Sequence, residues 1–191
     1  MKSVLLLILV LSISKAFGQN ANDSIQIIEK LIRSENDSVI LLYADRIDNY
    51  YIGRFEKALT KNKIYGYSPV TRKKAFIMLD EEERINILSQ VEKFRFPYWK
   101  DSLFRNSKVI SEDTLMKLFN DTSGIGRKFL WSKYGTRHTQ FTNPIFFHNN
   151  QMFIIQFLKM VGSECGTDVL AIYKKEEIQW KMGLWIEGGY Y

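Results

Sequence analysis

The sequence predicts an α+β fold in which N-terminal amphipathic helices pack on a C-terminal antiparallel meander sheet of about four strands. The last third of the chain, residues 140–191, holds four apolar, β-prone runs separated by short polar or glycine-bearing breaks. The second of these runs, Gln151–Val161, is apolar on both faces, which is typical of a central strand covered on both sides. The amphipathic segments upstream are the only candidates to cover it, so we expect helices and sheet to share one core.

The first eighteen residues predict a cleaved secretory signal. A short cationic start precedes an apolar run, residues 4–13, that is too short to span a bilayer. Ala16 and Gly18 then occupy the last positions of an A-x-A-like cleavage site. We therefore expect cleavage between Gly18 and Gln19 and a secreted or periplasmic protein.

The rest of the chain, residues 19–191, is predicted to be a single domain. Its length is 191 − 18 = 173 residues, which is enough to bury a hydrophobic core without stabilisation by disulfides or metal ions. The signal holds two of the 27 basic residues and none of the 21 acidic ones, so the net charge of the domain is 25 − 21 = +4. That modest charge does not indicate nucleic-acid binding. No later segment has the length of a membrane span, so we expect a protein that is not membrane-spanning after cleavage.

Upstream of the meander, helical periodicity and capping residues predict several helices. The clearest begins at Asp80, where Glu83 completes a capping box and the local glutamates suit the positive end of the helix dipole. Residues 39–51 fit either a buried strand or a helix, and their apolar spacing favours a helix. Residues 75–79 form a short apolar run that predicts a strand. The other helices are predicted to start at Asp23 or Ser24, at residues 36–38, at Ser111 and at Arg127.

Turn-forming residues bound the strands of the predicted meander. Residues 148–150 form a tight turn, and residues 162–166 and 176–179 form the next two. Alternation places four residues from Trp180 to Ile186 on one face of the last strand. The predicted strands are Gln140–Phe147, Gln151–Val161, Thr167–Lys175 and Trp180–Glu187.

Two basic stretches are candidates for binding an anionic surface. Arg54–Lys74 holds seven cations against one acid, and residues 122–163 contain no acid. Turn formers at residues 66–69 predict that the second half of the first stretch is a loop. The usual explanation is a solvated surface, and the alternative is a patch that binds phosphates or anionic headgroups, provided that the fold brings the stretches together. The candidate binding residues are Lys63, Arg72, Lys73, Lys74, Arg127 and Lys128.

Cys165 is the single cysteine and the first candidate for chemistry, and with one cysteine no intramolecular disulfide can form. It lies in a glycine-containing loop, where a nucleophile can be presented, and His138 or His148 could act as its base. The simpler interpretation is a thiol with no role beyond packing. The four acids of residues 80–83 diverge around a helix and cannot share one ion, so we predict no metal and no cofactor.

Three short motifs lie at the end of the signal and in the meander: Ala16–Gln19, Asn143–Phe146, and Val169–Lys175 followed by Trp180-Lys181. Together they resemble uncharacterised small exported proteins of Gram-negative bacteria. The resemblance covers the signal and about the last fifty residues, and its motifs are packing and turn patterns. It implies export but no particular activity. Such proteins often carry two cysteines in the corresponding loop, whereas this chain has one, so a loop disulfide is not expected.

No recognisable catalytic signature occurs in the sequence, which favours a non-enzymatic binding domain of the cell envelope. Its expected partner is another envelope protein or an anionic surface. The alternative is a small hydrolase or transferase that uses Cys165 with His138 or His148.

Overall fold

The computed structural model describes residues 24–31, 40–96, 98–101, 103–135, 137–161 and 165–190, which form an α+β fold with five helices and one mixed sheet of nine strands. The predicted signal and the predicted helix start at residues 36–38 lie outside these residues. The helices are α1 (24–31), α2 (Asn49–Ala58), α3 (Glu81–Lys93), α4 (Glu112–Phe119) and α5 (Ile125–Tyr134). The strands are β1 (Leu41–Ala44), β2 (Lys63–Tyr67), β3 (Lys74–Met78), β4 (Ser107–Ile110), β5 (Arg137–Phe141), β6 (Ile145–Phe147), β7 (Met152–Val161), β8 (Cys165–Glu176) and β9 (Gln179–Tyr190).

The strands follow the order β3-β2-β9-β8-β7-β5-β1-β4, and β6 also pairs with β7. β1 runs parallel to both β4 and β5, and the remaining pairs are antiparallel. The α+β class is confirmed, but the prediction of about four strands behind N-terminal helices is too simple. The strand predicted over residues 75–79 is confirmed as β3. The other additional strands, β1, β2 and β4, have four or five residues each, so their apolar patterns are too short to stand out from the helices between them.

The prediction that Gln151–Val161 is a central, doubly covered strand is confirmed. β7 pairs with β8 along its whole length, and β5 and β6 share its other edge. On one face Ile154 lies in a cluster with residues of α2 and α3. On the other face Phe153 and Ile155 lie in a cluster with Ile28 of α1. Both faces of β7 are therefore part of the core.

The prediction of a helix across residues 39–51 is wrong for its first half, which forms β1. Leu42, Tyr43 and Ala44 are almost completely buried because β1 lies between two other strands and is covered on both faces. A strand buried on both faces loses the polar–apolar alternation that distinguishes it from a helix. α2 begins only at Asn49, after the N-cap Asp48, whose side chain accepts a hydrogen bond from the amide of Tyr50.

The predicted strand Gln140–Phe147 is two strands, β5 and β6. Residues 142–144 separate them, and Pro144 lies in this break, as expected for a residue that cannot donate to a ladder. Thr142 maintains the connection to β7, since its amide donates to the carbonyl of Gln156 at 2.9 Å. The amide of Gln156 donates in turn to Thr142 Oγ1 at 3.0 Å. The chain thus continues along the same edge of β7.

The predicted alternation of the last strand is also wrong in part. Met182 pairs with Tyr173 and Leu184 pairs with Ile172, which leaves Gly183 as an extra residue in β9. As a result, Met182 joins the α1 side of the core and Leu184 the α2–α3 side. A bulge moves the residues that follow it to the opposite face, and periodicity alone cannot locate it.

The predicted helix at Asp80 is confirmed as α3. The Asp80 side chain accepts from the amide of Glu83 at 2.7 Å, and the Glu83 side chain accepts from the amide of Asp80, which completes the capping box. Its inward side is buried as expected, with Ile87 and Val91 fully inaccessible to solvent. Within the described part of the chain, no helix combines the length and apolarity needed to cross a membrane.

The two faces of the sheet are covered unequally. Helices α2 to α5 contribute to the core clusters on one face, which we call the covered face. On the other face, α1 packs mainly against the centre of the sheet together with Trp99, Leu103 and Phe104. The outward side chains of β2 and β3 on this second face remain exposed. We call their face of the β2–β3 hairpin the hairpin face.

Candidate functional site

The hairpin face is built by strict alternation along β2 and β3. One row of the hairpin points into the core, where Ile64 pairs with Ile77 and both are buried. The opposite row points to solvent. Because directly paired residues share a face, this row forms one continuous surface. It consists of Lys63, Tyr65 and Tyr67 on β2 and Lys74, Phe76 and Met78 on β3.

Large apolar side chains dominate this exposed row. Tyr65 is 62% exposed, Phe76 is 52% exposed and Met78 is 53% exposed. The rings of Tyr65 and Phe76 are neighbours, with centroids 6.3 Å apart. Lys63 Nζ lies 3.7 Å from the centroid of the Phe76 ring, within reach of a cation–π interaction. An apolar cluster of this kind, with a cation across it, usually marks an interaction site.

The tip of the hairpin, residues 68–73, extends this surface. Two backbone hydrogen bonds close the turn. The amide of Ser68 donates to the carbonyl of Lys73 at 2.9 Å, and the amide of Arg72 donates to the carbonyl of Ser68 at 2.8 Å. Val70 is 88% exposed at its end. The sequence from residue 57 to residue 79 contains six cations and no acid, so this region carries a positive field.

A close backbone contact fixes the hairpin to the sheet. Tyr67 pairs with Trp185 of β9, and Gly66 lies beside that pair. A Cβ atom at Gly66 would lie 2.4 Å from the carbonyl oxygen of Trp185, so a larger residue does not fit without a shift. Gly66 is therefore required by this approach rather than by a turn, which is why the prediction of a loop from residue 66 is wrong for the end of β2.

A cleft of about 490 Å³ separates the tip from the sheet. Its two charged lining residues are Arg72 and Asp168. The side chain of Asp168 is completely buried on the covered face, where its Oδ2 lies 2.6 Å from Arg54 Nη1, so it offers no charge to the cleft. Arg72 is then the lining charge without an ion partner among the described residues. The cleft is thus an apolar recess with one available cation. The apolar lining comprises Tyr67, Pro69, Val169, Met182 and Trp185.

The structure brings four of the six predicted basic residues together. Lys63, Arg72, Lys73 and Lys74 all belong to the β2–β3 hairpin. Arg127 and Lys128 instead lie on α5, whose Leu130 packs in one cluster with Leu42 and Ala44 of β1 on the covered face. Four strands separate β1 from β2, a distance of about 24 Å at ~4.8 Å per step. The two basic stretches therefore do not form one electropositive face.

Cys165 and the two histidines are not brought together. In the paired rows of β5, β7 and β8, Cys165 is in register with Val161, and His138 is in register with Met160. Adjacent rows point to opposite faces, so the exposed Cys165 and the buried His138 lie on opposite sides of the sheet. His148 follows β6 at the other end of β7, about 30 Å from Cys165 along a strand of ten residues.

His148 has a different partner. Its Nδ1 lies 2.8 Å from Glu83 Oε1, and its backbone amide donates to the same oxygen at 2.7 Å. Burial alone would raise the pKa of Glu83, but the hydrogen bonds from His148 and from the amide of Asp80 outweigh it and lower this pKa. The contact joins the start of α3 to the β6–β7 turn. This contact between Glu83 and His148 therefore has a structural role, because it holds the turn against the helix.

The sequence interpretation missed the aromatic half of the site. The cations of the hairpin are predicted binding residues, whereas Tyr65, Phe76, Met78 and Val70 are not assigned to the surface by the sequence. The signal is present in the alternation from Lys63 to Tyr67 and from Lys74 to Met78, where large side chains occupy every second position. It is recognisable only once both segments are known to be paired strands.

Comparison with protein families, curated proteins and solved structures identifies no relative of this chain. No family model matches the chain, and neither a curated protein nor a solved structure matches it significantly. The resemblance to small exported proteins therefore stays a prediction.

Proposed function

We propose that this protein is a non-enzymatic domain that docks on an anionic phospholipid surface of the cell envelope through its hairpin face. The observation that carries the proposal is the exposed row of alternating aromatic, apolar and cationic side chains on β2 and β3. Aromatic side chains favour the boundary between headgroups and acyl chains, where an apolar ring and a polar group are both accommodated. Cations beside them are attracted to anionic headgroups.

The charges of the hairpin are consistent with this partner. Each Lys or Arg near an anionic leaflet contributes about 1 kcal/mol, so Lys63, Arg72, Lys73 and Lys74 together contribute about 4 kcal/mol. Insertion of Phe76 and Val70 would add apolar burial to this attraction. Stable attachment to a membrane commonly requires two kinds of interaction, here the attraction of the cations and the burial of apolar side chains, because neither is sufficient alone. The cleft behind Arg72 offers further apolar surface next to a headgroup.

A second envelope protein is a less suitable partner for this surface. A protein interface depletes lysine at its centre, because burying an ammonium group costs free energy unless a partner charge meets it. Lys63 is paired with Met78 at one end of the apolar row, and its Nζ extends over the ring of Phe76. A membrane surface allows a lysine to extend its charged end to the headgroups while its stem remains in apolar surroundings. The hydrolase or transferase alternative has no comparable geometric support, since Cys165 is paired with neither histidine.

The test is cosedimentation with vesicles made either of phosphatidylcholine alone or of phosphatidylcholine with phosphatidylglycerol. The variant K73Q/K74Q removes two charges from the hairpin. The matched control K117Q/K128Q removes two charges from exposed positions on α4 and α5, on the covered face of the sheet. We expect the wild-type protein and the control to bind anionic vesicles, and K73Q/K74Q to bind about thirtyfold more weakly, which corresponds to ~1 kcal/mol per charge.

Binding should also decrease at high salt, because screening shortens the reach of exposed charges. The proposal is contradicted if the wild-type protein does not bind anionic vesicles. It is equally contradicted if both double variants lose affinity by the same factor, since the attraction would then follow net charge and not the hairpin face.

A further inference from the structure

A second cleft, of about 460 Å³, lies on the covered face between α2, the end of α4 and the start of α5. Its floor is formed by β5 and β7, where His138 is in register with Met160 and Gln140 with Leu158. It is separate from the hairpin face and from the cleft beside Arg72. Of the six basic residues predicted to bind an anionic surface, Arg127 is the one that lines this cleft.

Two buried polar side chains of the floor have unused hydrogen-bonding groups. His138 is 8% exposed, and no described residue hydrogen-bonds to its ring nitrogens. Gln140 is 2% exposed, and its Oε1 accepts from the amide of Asp48 at 2.9 Å, which fixes the side chain but leaves Nε2 without a partner in the described structure. Both residues line the cleft, so these polar groups are available to hydrogen-bond a molecule that binds in it.

Apolar and planar groups surround these two residues. The ring of Phe119 lies against the imidazole of His138, with centroids 4.6 Å apart and planes tilted by 42°. Met160, Tyr50 and Tyr51 contribute further lining. Burial lowers the pKa of His138 to about 4, so the ring is neutral at pH 7 and offers one donor and one acceptor. The walls therefore suit a flat apolar body with a single polar group directed at the floor.

The charges in the lining define the other end of a ligand. The carboxylate of Asp48 caps α2, with Oδ1 accepting from the amide of Tyr50 at 2.7 Å. The first turn of α5 already has an anion, because Asp121 Oδ2 accepts from the amide of Gly126 at 2.8 Å. Arg127 lines the cleft, and its positive charge contributes to lowering the pKa of Asp121. Its guanidinium makes no salt bridge with a described carboxylate, so it can hold the carboxylate of a ligand.

We propose that this cleft binds a small aromatic carboxylate, with the carboxylate on Arg127 and the ring over His138 between Phe119 and Met160. The cavity volume lies in the usual range for small-molecule sites. The chain would then be both a surface-docking domain and a receptor for a small acid. The inference does not depend on membrane binding, because it uses other residues on the other face.

The experiment is an NMR titration of the purified protein with indole-3-acetate as the carboxylate probe and indole-3-acetamide as its neutral counterpart. The chain has two histidines, so the ring protons of His138 and His148 can be followed individually. We expect the His138 signal to shift saturably, with a Kd of about 1 mM or lower, and the His148 signal to stay in place. The variant R127Q should bind indole-3-acetate about tenfold more weakly and indole-3-acetamide unchanged. The control K128Q, which removes the neighbouring exposed charge, should behave as wild type.

Three results would overturn the inference. The first is a His138 signal that does not shift saturably up to about 10 mM probe. The second is an equal shift of both histidines, which would indicate non-specific contact. The third is an equal affinity of R127Q and wild type for indole-3-acetate. Loss of vesicle binding by the hairpin variants would leave this titration unaffected, so the two proposals fail separately.

Discussion

The covered face and the hairpin face of the same sheet place polar and apolar groups in opposite ways. On the covered face, Asp168 is completely buried and is held by Arg54, whose Nε also lies 3.1 Å from Glu187. On the hairpin face, Tyr65 and Phe76 are more than half exposed and carry a lysine across them. Charge is thus buried where helices cover the sheet, and apolar surface is exposed where they do not.

The difference separates stability from binding. A buried ion pair is destabilising to break, because the remaining charge has no solvent to replace its partner. Exposed apolar groups contribute little to folding, since they are in water in both the folded and the unfolded state. We therefore expect substitutions on the covered face to change the free energy of unfolding and substitutions on the hairpin face to change vesicle binding.

The largest effect is expected for Asp168. The variant D168A leaves Arg54, which is 10% exposed, without its main partner, and should lower the free energy of unfolding by about 3–5 kcal/mol. The control is E176Q, which breaks the exposed ion pair of Glu176 with Lys181 and should cost less than about 1 kcal/mol. Urea denaturation measures both. Similar small losses in the two variants would show that the burial of Asp168 does not matter for folding.

The next effect is a pH dependence that His138 adds to stability. Burial lowers its pKa from the ordinary value of 6.5 to about 4, so between these values the unfolded state binds more protons than the folded state. The stabilisation is complete above pH 6.5 and is lost as the pH falls towards 4, by about 3 kcal/mol. The variant H138F lacks this titration. In urea denaturation, the free energy of unfolding of H138F relative to that of wild type should therefore rise by about 3 kcal/mol between pH 7 and pH 4.

Acids whose pKa the fold shifts, such as Glu83, where it is lowered, and Glu112, where it is raised, are present in both proteins, so their contributions cancel in the comparison. A difference between H138F and wild type that is independent of pH would contradict the burial of a neutral His138.

The smallest effect on folding is expected on the hairpin face. The variant Y65S/F76S removes two exposed rings and should change the free energy of unfolding by about 1 kcal/mol or less. Its affinity for anionic vesicles should fall at least about tenfold, because the apolar part of the docking surface is lost. The control I125S/F129S removes two exposed apolar side chains from α5 and should bind vesicles as wild type does. Retained binding by Y65S/F76S would limit the interaction to charge.

Long or capped elements could be predicted from the sequence, and short, doubly buried ones could not. β7 was recognisable by ten residues of apolar character, and α3 by the capping box at Asp80. β1 was not, because a run of four residues without alternation, three of them buried, fits a helix equally well. Its parallel pairing with β4 joins residues more than sixty positions apart, which no local pattern shows.

The candidate site, like the fold, was predictable from the sequence only where a local pattern reveals it. The charges of Lys63, Arg72, Lys73 and Lys74 were recognised from composition. Their aromatic neighbours were not, because the turn formers at residues 66–69 concealed the end of β2. The distance between the hairpin and α5, and the separation of Cys165 from both histidines, depend on strand order and register. Such properties belong to the assembled sheet.

The central claim is that the hairpin tip enters an anionic membrane surface, and a fluorophore at the tip tests it most directly. Cys165 is exposed, so C165S provides a background in which V70C or I125C is the single labelling site for an environment-sensitive dye. With phosphatidylglycerol-containing vesicles, we expect a blue shift and a gain in intensity for the dye at residue 70, and no change for the dye at residue 125. No change at residue 70, or equal changes at both positions, would contradict the account.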